Sequence, residues 1–187
     1  DIGYYQQVID HFVSWCDSHF LQLNVKKTKE IREYKYLGIT FDKKLEWHPH
    51  ATNVFKNVNK RMYYVRKLNS FHVDKTILSM FCRATILSVI TFCITIWGGN
   101  CKASHKNKID RLLRKMSQMT SEEPPTFDSL CNDHCKSNLQ KIIKDTTHPI
   151  FTDIEFSRRS GRMLHLRAQQ ERYKNSFLPH AIRLFKQ

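Results

Sequence analysis

Glycine and proline are scarce, with five of each in 187 residues. That scarcity excludes a collagen-like or linker-rich chain. Acid is scarce too: 17 Asp and Glu stand against 31 Lys and Arg, a formal net charge of +14. No two aspartates are adjacent, and Asp1, Asp10, Asp17, Glu30, Asp42 and Glu46 are scattered. Two-metal phosphoryl transfer needs clustered carboxylates, so neither such a centre nor any catalytic activity is expected. No Gly-rich phosphate loop and no Gly-x-Ser-x-Gly occurs, which removes the nucleotide cradle and the hydrolase elbow. No cofactor is expected. The longest apolar stretch, within Ile86 to Trp97, is interrupted by Ser88, Thr91 and Thr95. It falls short of the ~20 residues that span a bilayer, so no membrane partner is expected. The first residues lack a basic region followed by an apolar run, so no cleaved leader is expected either. The six cysteines (16, 82, 93, 101, 131, 135) have no regular spacing. They suit a reduced, intracellular protein of the nucleus or cytoplasm.

What the chain does contain is apolar material and positive charge. Hydrophobic residues make up 41% and aromatics 12%, enough to fill a core and too much for a disordered polycation. The charge excess points to a polyanion, with nucleic acid favoured over an acidic membrane.

Periodicity indicates a mostly α protein with a small β element near its start. Tyr5, Val8, Ile9, Phe12, Val13 and Cys16 recur at helical spacing. Alternation predicts two short strands, at 20–26 and 34–41, with Gly38 marking a bulge or a close approach. Pro49 suits the first turn of a helix, whose apolar stripe is Ala51, Val54, Phe55, Val58, Met62 and Val65. Asp74 is a fitting cap for a third helix running from Leu78 to Ile96, ended by Gly98-Gly99. Ser104 is read as the cap of a fourth, with Ile109, Leu112, Leu113 and Met116 inside. Glu122-Glu123-Pro124-Pro125 marks a boundary, a further helix covers 127–144, and a basic tail follows. The expected division is 1–44, 45–120 and 121–187.

The cations lie off the apolar stripes: Lys56, Lys60, Arg61, Arg66 and Lys67 on one helix, and Lys106, Lys108, Arg111, Arg114 and Lys115 on another. Such faces neutralise phosphates along a backbone. Trp47, Tyr63 and Tyr64 are near enough in sequence to add stacking on bases. One such helix alone reads as an ordinary solvated face; two of them plus a basic tail read as binding. Cys131-x3-Cys135 with His134 and His148 nearby has a zinc-like look. The second ligand pair is incomplete, so loosely packed loop cysteines are expected and no metal site. His48-Pro49-His50 is read as a polar start to a helix.

The order of motifs resembles LINE-type (non-LTR) retrotransposon reverse transcriptases. Val13-Ser14-Trp15-Cys16 and Leu21-Gln22-Leu23-Asn24-Val25-Lys26-Lys27-Thr28-Lys29 resemble the segment after that family's catalytic Asp-Asp, with polymerase motif D. Tyr34-Lys35-Tyr36-Leu37-Gly38-Ile39 resembles motif E, the primer grip. Leu45-Glu46-Trp47, Lys60-Arg61 to Leu68, and Ser88-Val89-Ile90 to Asn100 resemble the thumb. Ser160-Gly161-Arg162 and Ser176-Phe177-Leu178-Pro179 to Leu184 resemble the C-terminal ending of fish-type LINE frames. The resemblance implies a helical, thumb-like bundle and an RNA or DNA template–primer duplex as partner. It makes Lys27 the motif D lysine, and Tyr36, Leu37 and Gly38 the primer-grip turn. It also implies that the fingers and the metal-binding palm aspartates lie before Asp1, so that this fragment binds without polymerising. The step from Lys29-Glu30 to Tyr34 is shorter than the family's, as in a decayed or spliced copy, and a relic without a role is one alternative. Residues 34–70 also resemble the module named for the N-terminus of AlkB homologue 8, a tRNA-modifying enzyme. No methyl-donor Gly-rich loop accompanies them, so its chemistry is not expected.

Overall fold

A computed structural model describes residues 2–24, 32–156, 163–164 and 169–185, with side chains from Gln6 onward in the first helix. The chain divides into two compact units, Asp1–Arg32 and Glu33–Gln187.

The first unit contains the helix α1, Ile2–Ser18. Its apolar stripe forms as its spacing predicts, yet Val8, Phe12 and Trp15 are about half exposed. The expected strand at 20–26 does not form over its described part. Phe20 turns with a φ of 57°, and 21–24 are loop. Alternation alone cannot hold a strand that has no neighbour to pair with.

The second unit opens with a hairpin. Strands β1, Glu33–Tyr36, and β2, Ile39–Asp42, pair antiparallel in the register Glu33↔Asp42 to Tyr36↔Ile39. The expected single strand 34–41 is therefore folded in two. Leu37 and Gly38 have φ of 46° and 87°, the double positive φ of a two-residue turn whose twist matches the strands. Ile39 and Thr40 are buried, whereas β1 is exposed throughout. The Asp42 carboxylate accepts hydrogen bonds from the backbone of Glu46 (3.0 Å) and Trp47 (2.9 Å) and so leads the chain into the next helix.

That helix is α2, His48–Ser70, with Pro49 in its first turn. Ala51, Val54, Val58, Met62 and Val65 are buried along one side. They pack on Ile109, Leu112, Leu113 and Met116 of α6, Ala103–Thr120. The helix α6 starts two residues earlier than expected, with Lys102 at the cap position and no side-chain cap bond, so Ser104 lies inside it. Asp74 does cap α3, Lys75–Cys82, accepting from the backbone of Thr76 at 2.8 Å.

The expected continuous third helix is broken into pieces. After α3 come a π turn, Arg83–Leu87, then α4, Ser88–Thr91, and α5, Ile94–Trp97. Its core positions are Leu78, Cys82, Ile86, Ile90 and Ile94, all 1% exposed or less. A four-residue step overshoots an α-helical turn by about 40°, so a strict four-residue repeat drifts off one face. The wider π turn takes up part of that drift. Thr85, Ser88 and Thr91 also bond back to the carbonyls of Phe81, Ala84 and Leu87, a habit that bends helices. The break between α4 and α5 lies at Cys93, with a φ of 49°. It leaves the Phe92 carbonyl to accept the Trp97 indole N–H at 3.1 Å. Trp97 is fully buried between His50 and Phe127.

The helix α7, Phe127–Lys144, begins with a reciprocal Thr126–Ser129 cap. Beyond it lie a 3-10 turn, Pro149–Asp153, and the short α8, Glu171–Lys174. Last comes α9, Phe177–Phe185, which packs on α7 and buries Ala181 and Ile182. The molecule is mostly helical with one two-stranded sheet, as the sequence indicates. Among the described residues no helix is long and apolar enough to cross a membrane.

Candidate nucleic-acid interface

Strand β2, α2 and α4 enclose a cleft of about 550 Å³. Lys35, Gly38 and Thr40 form its hairpin wall. Asn53, Lys56, Asn57 and Lys60 come from one exposed side of α2, Ser88 and Val89 from α4, and Phe92 from the residue just after it. The four α2 positions follow the i, i+3, i+4, i+7 spacing of a single helix face. The Phe92 ring stands 3.2 Å from where a Cβ on Gly38 would sit, which gives Gly38 both the turn and the close approach that its place in the sequence predicts.

Lys35, Lys56 and Lys60 are exposed, and none is ion-paired among the described residues. Three ammonium groups, two amides and two hydroxyls thus line one concavity. His50 closes it from within. It is 4% exposed, and its Nδ1 accepts the Thr40 backbone N–H at 3.3 Å. Its Nε2 has no partner among the described residues. Burial holds the His50 pKa below the usual histidine value, and the ring joins β2 to α2 through the Thr40 bond.

The other sequence candidates separate. Arg66 and Lys67 are exposed further along α2, with Lys67 5.3 Å from the Phe71 ring. Arg61 is half-buried and donates to the Thr85 carbonyl at 2.5 Å, which ties it to the π turn. Arg111 and Arg114 line a second hollow of about 450 Å³ with Pro124, Pro125 and Thr126. Lys108 and Lys115 are exposed on α6, while Lys106 pairs with Asp128 at 2.8 Å. Lys27 lies outside the described residues.

Two of the three proposed stacking residues stay on the surface. Tyr63 and Tyr64 are 60% and 58% exposed. Trp47 is not available: it is 5% exposed and packs 5.4 Å from Phe41. Its left-handed backbone at the start of α2 turns the side chain into the core. The sequence reading misses another aromatic pair. Tyr34 and Tyr36 stand on one face of β1 with stacked rings 6.3 Å apart, a spacing of two that strand periodicity could have flagged. The primer-grip-like residues Tyr36 and Leu37 are exposed at the hairpin tip.

The cysteines read as loop residues are helical and buried. Cys131 and Cys135 sit one turn apart on α7, 3% and 1% exposed. Beside them stands His180 of α9, with the three ligand atoms all within 4.8 Å of one another. Among the described residues this is the one such grouping of His, Cys, Asp or Glu. His134 is exposed, and His148 caps the 3-10 turn instead. A His-x-Asp triplet that the sequence reading passed over, His72-Val73-Asp74, gathers no third ligand among the described residues, and its aspartate is the α3 cap.

The chain is 25% identical over 145 residues to the RNA-directed DNA polymerase from mobile element jockey of Drosophila melanogaster. The match takes in 64% of this chain and 16% of that protein, so the chain spans about one sixth of its relative's length. The likeness is distant and lies on the reverse-transcriptase side. No protein-family model and no solved structure matches. The resemblance of residues 34–70 to the AlkB homologue 8 module gains no support.

Proposed function

We propose that the chain is the post-catalytic part of a LINE-type reverse transcriptase: a palm remnant, a thumb and a basic C-terminal region. It binds RNA or DNA duplex through the phosphate backbone and does not polymerise by itself. The observation that carries the binding is the cleft where Lys35, Lys56 and Lys60 converge unpaired under the hairpin tip. Its spacing of cations along one helix face suits successive phosphates, which position a duplex without reading its sequence. The exposed Tyr34–Tyr36 pair beside Lys35 adds a stacking surface for an unpaired base or a strand end. The jockey relation supports the assignment to the reverse-transcriptase family.

Anisotropy of a labelled RNA hairpin or DNA duplex across a salt series tests this reading. Phosphate contacts release counterions, so log affinity falls linearly with log salt, by about 0.9 per contact on B-DNA. With roughly six to eight cations engaged, affinity falls on the order of a thousandfold between about 50 and 200 mM salt. The K56A/K60A double variant weakens all sequences alike and lowers the slope by about two. A flat salt dependence, or a sequence preference that survives high salt, removes the functional content of the cleft.

A further inference from the structure

The geometry points to a zinc ion held by Cys131 and Cys135 of α7, His180 of α9 and Cys101 of the loop after α5. This inference is independent of the nucleic-acid reading.

The argument begins with distance. The ligand atoms of Cys131, Cys135 and His180 already lie within 4.8 Å of one another. Zinc bonds of about 2.3 Å to sulfur and 2.0–2.1 Å to nitrogen in a tetrahedron put ligand atoms roughly 3.4–3.8 Å apart. The cluster therefore closes onto an ion by about 1 Å of side-chain movement. The i, i+4 spacing puts both sulfurs on one helix face, and the packing of α9 on α7 supplies the third ligand.

The surroundings fit as well. His180 Nε2 lies 2.9 Å from the Asn132 side-chain oxygen. Donating there, Nε2 keeps the proton and leaves the Nδ1 lone pair for the metal. Metal-binding histidines are oriented by such an outer hydrogen bond. Both cysteines are buried and His180 is half-buried. Cys131 Sγ sits against the Gly98 turn, where a Cβ on Gly98 would meet it at 2.8 Å. Cys101 closes that turn, its backbone N–H bonded to the Gly98 carbonyl at 3.2 Å. It is buried, with its sulfur outside the 4.8 Å grouping, so it swings in to complete the tetrahedron. Binding Zn²⁺ to three thiolates and a neutral imidazole releases three protons and leaves one net negative charge. The ion would tie α5, α7 and α9 into one block, the role of a structural zinc.

Two buried thiols sharing a hydrogen bond could account for Cys131 and Cys135 alone. They give no reason for His180 to stand at ligand distance, held by Asn132. The test uses the full chain. Purified protein is expected to carry one equivalent of zinc by mass spectrometry, and chelation to lower its melting temperature. Cobalt(II) added to stripped protein is expected to give thiolate charge-transfer bands and the intense visible bands of a tetrahedral ion. C135S and H180N should each weaken cobalt binding tenfold or more, as should C101S. C82S, which alters a buried cysteine elsewhere, should not. H180N changes a half-buried side chain and keeps the proposal testable if C135S does not fold. Folded protein that gives no cobalt bands overturns the site, as do bands unchanged in H180N. C101S that binds cobalt as tightly as wild type overturns the fourth ligand.

Discussion

Two residues hold states that a local effect opposes. Leu37 holds a φ of 46° at the hairpin tip, with its side chain 76% exposed. A left-handed L-residue costs about 1–2 kcal/mol, and asparagine tolerates it better. Leu37→Asn is therefore expected to raise stability by ~0.5–1 kcal/mol in urea unfolding. Lower affinity in the same variant would show that leucine is kept there for contact rather than for the turn. Asp42 is the second case. Partial burial opposes its ionisation, but backbone hydrogen bonds from Glu46 and Trp47 outweigh that and hold its pKa below the usual carboxylate value. A lowered folded pKa stabilises above the unfolded value and is lost as pH falls through the folded one. The Asp42 contribution is accordingly full at neutral pH and disappears below about pH 4. Asp42→Asn is expected to flatten that acid limb of the stability profile, read by thermal melts at stepped pH. At neutral pH it should cost about 1 kcal/mol.

Among the elements, α2 divides its cations by task. Arg61 reaches across to the Thr85 carbonyl of the π turn, whereas Lys56 and Lys60 end in solvent at the cleft. Arg61→Ala is expected to lower stability by about 1–2 kcal/mol, because a half-buried carbonyl loses a charged donor. Lys56→Ala should stay within about 0.5 kcal/mol and change only the salt slope of binding. Equal stability losses in the two variants would erase the distinction. The sequence foretells helices wherever apolar spacing is sustained: α1, α2, α6 and α7 run close to their expected bounds. It fails where spacing is ambiguous or a partner decides. Leu78 to Trp97 is apolar enough to read as one helix, but its four-residue repeat and back-bonding hydroxyls break it. Leu21 and Leu23 alternate as a strand would but pair with no strand among the described residues. The two sites differ in legibility for a similar reason. Lys56 and Lys60 lie on one helix and declare themselves by spacing, while Lys35 joins them only because the hairpin folds back. His180 is far from Cys131 in sequence, and nothing short of the packing of α9 on α7 brings it there.

For the whole molecule, the charge of +14 acts as a field before it acts as contacts. It raises the local concentration of any polyanion and speeds encounter at low salt. Binding alone is not polymerisation. Two-metal catalysis needs carboxylates gathered at one point, and the acids of this chain are strewn along it. The isolated chain is expected to give no extension of a primed template with deoxynucleotides and magnesium. Template-dependent extension by pure protein would refute the reading of a post-catalytic segment. The core of the second unit runs unbroken from Ile39 through Trp97 to Ile182, so hairpin, cleft and cysteine cluster all rest on one body of packed side chains.

The three tryptophans fall on both sides of the division after Arg32. Trp15 belongs to the first unit and is 46% exposed, while Trp47 and Trp97 belong to the second and are 5% and 0% exposed. Intrinsic fluorescence is thus a mixture of two populations. Trp15 emits from a wet setting, to the red, and is open to collisional quenchers. The other two emit to the blue and are shielded. Acrylamide titration separates them without any label, and each unit then reports its own unfolding in a single sample.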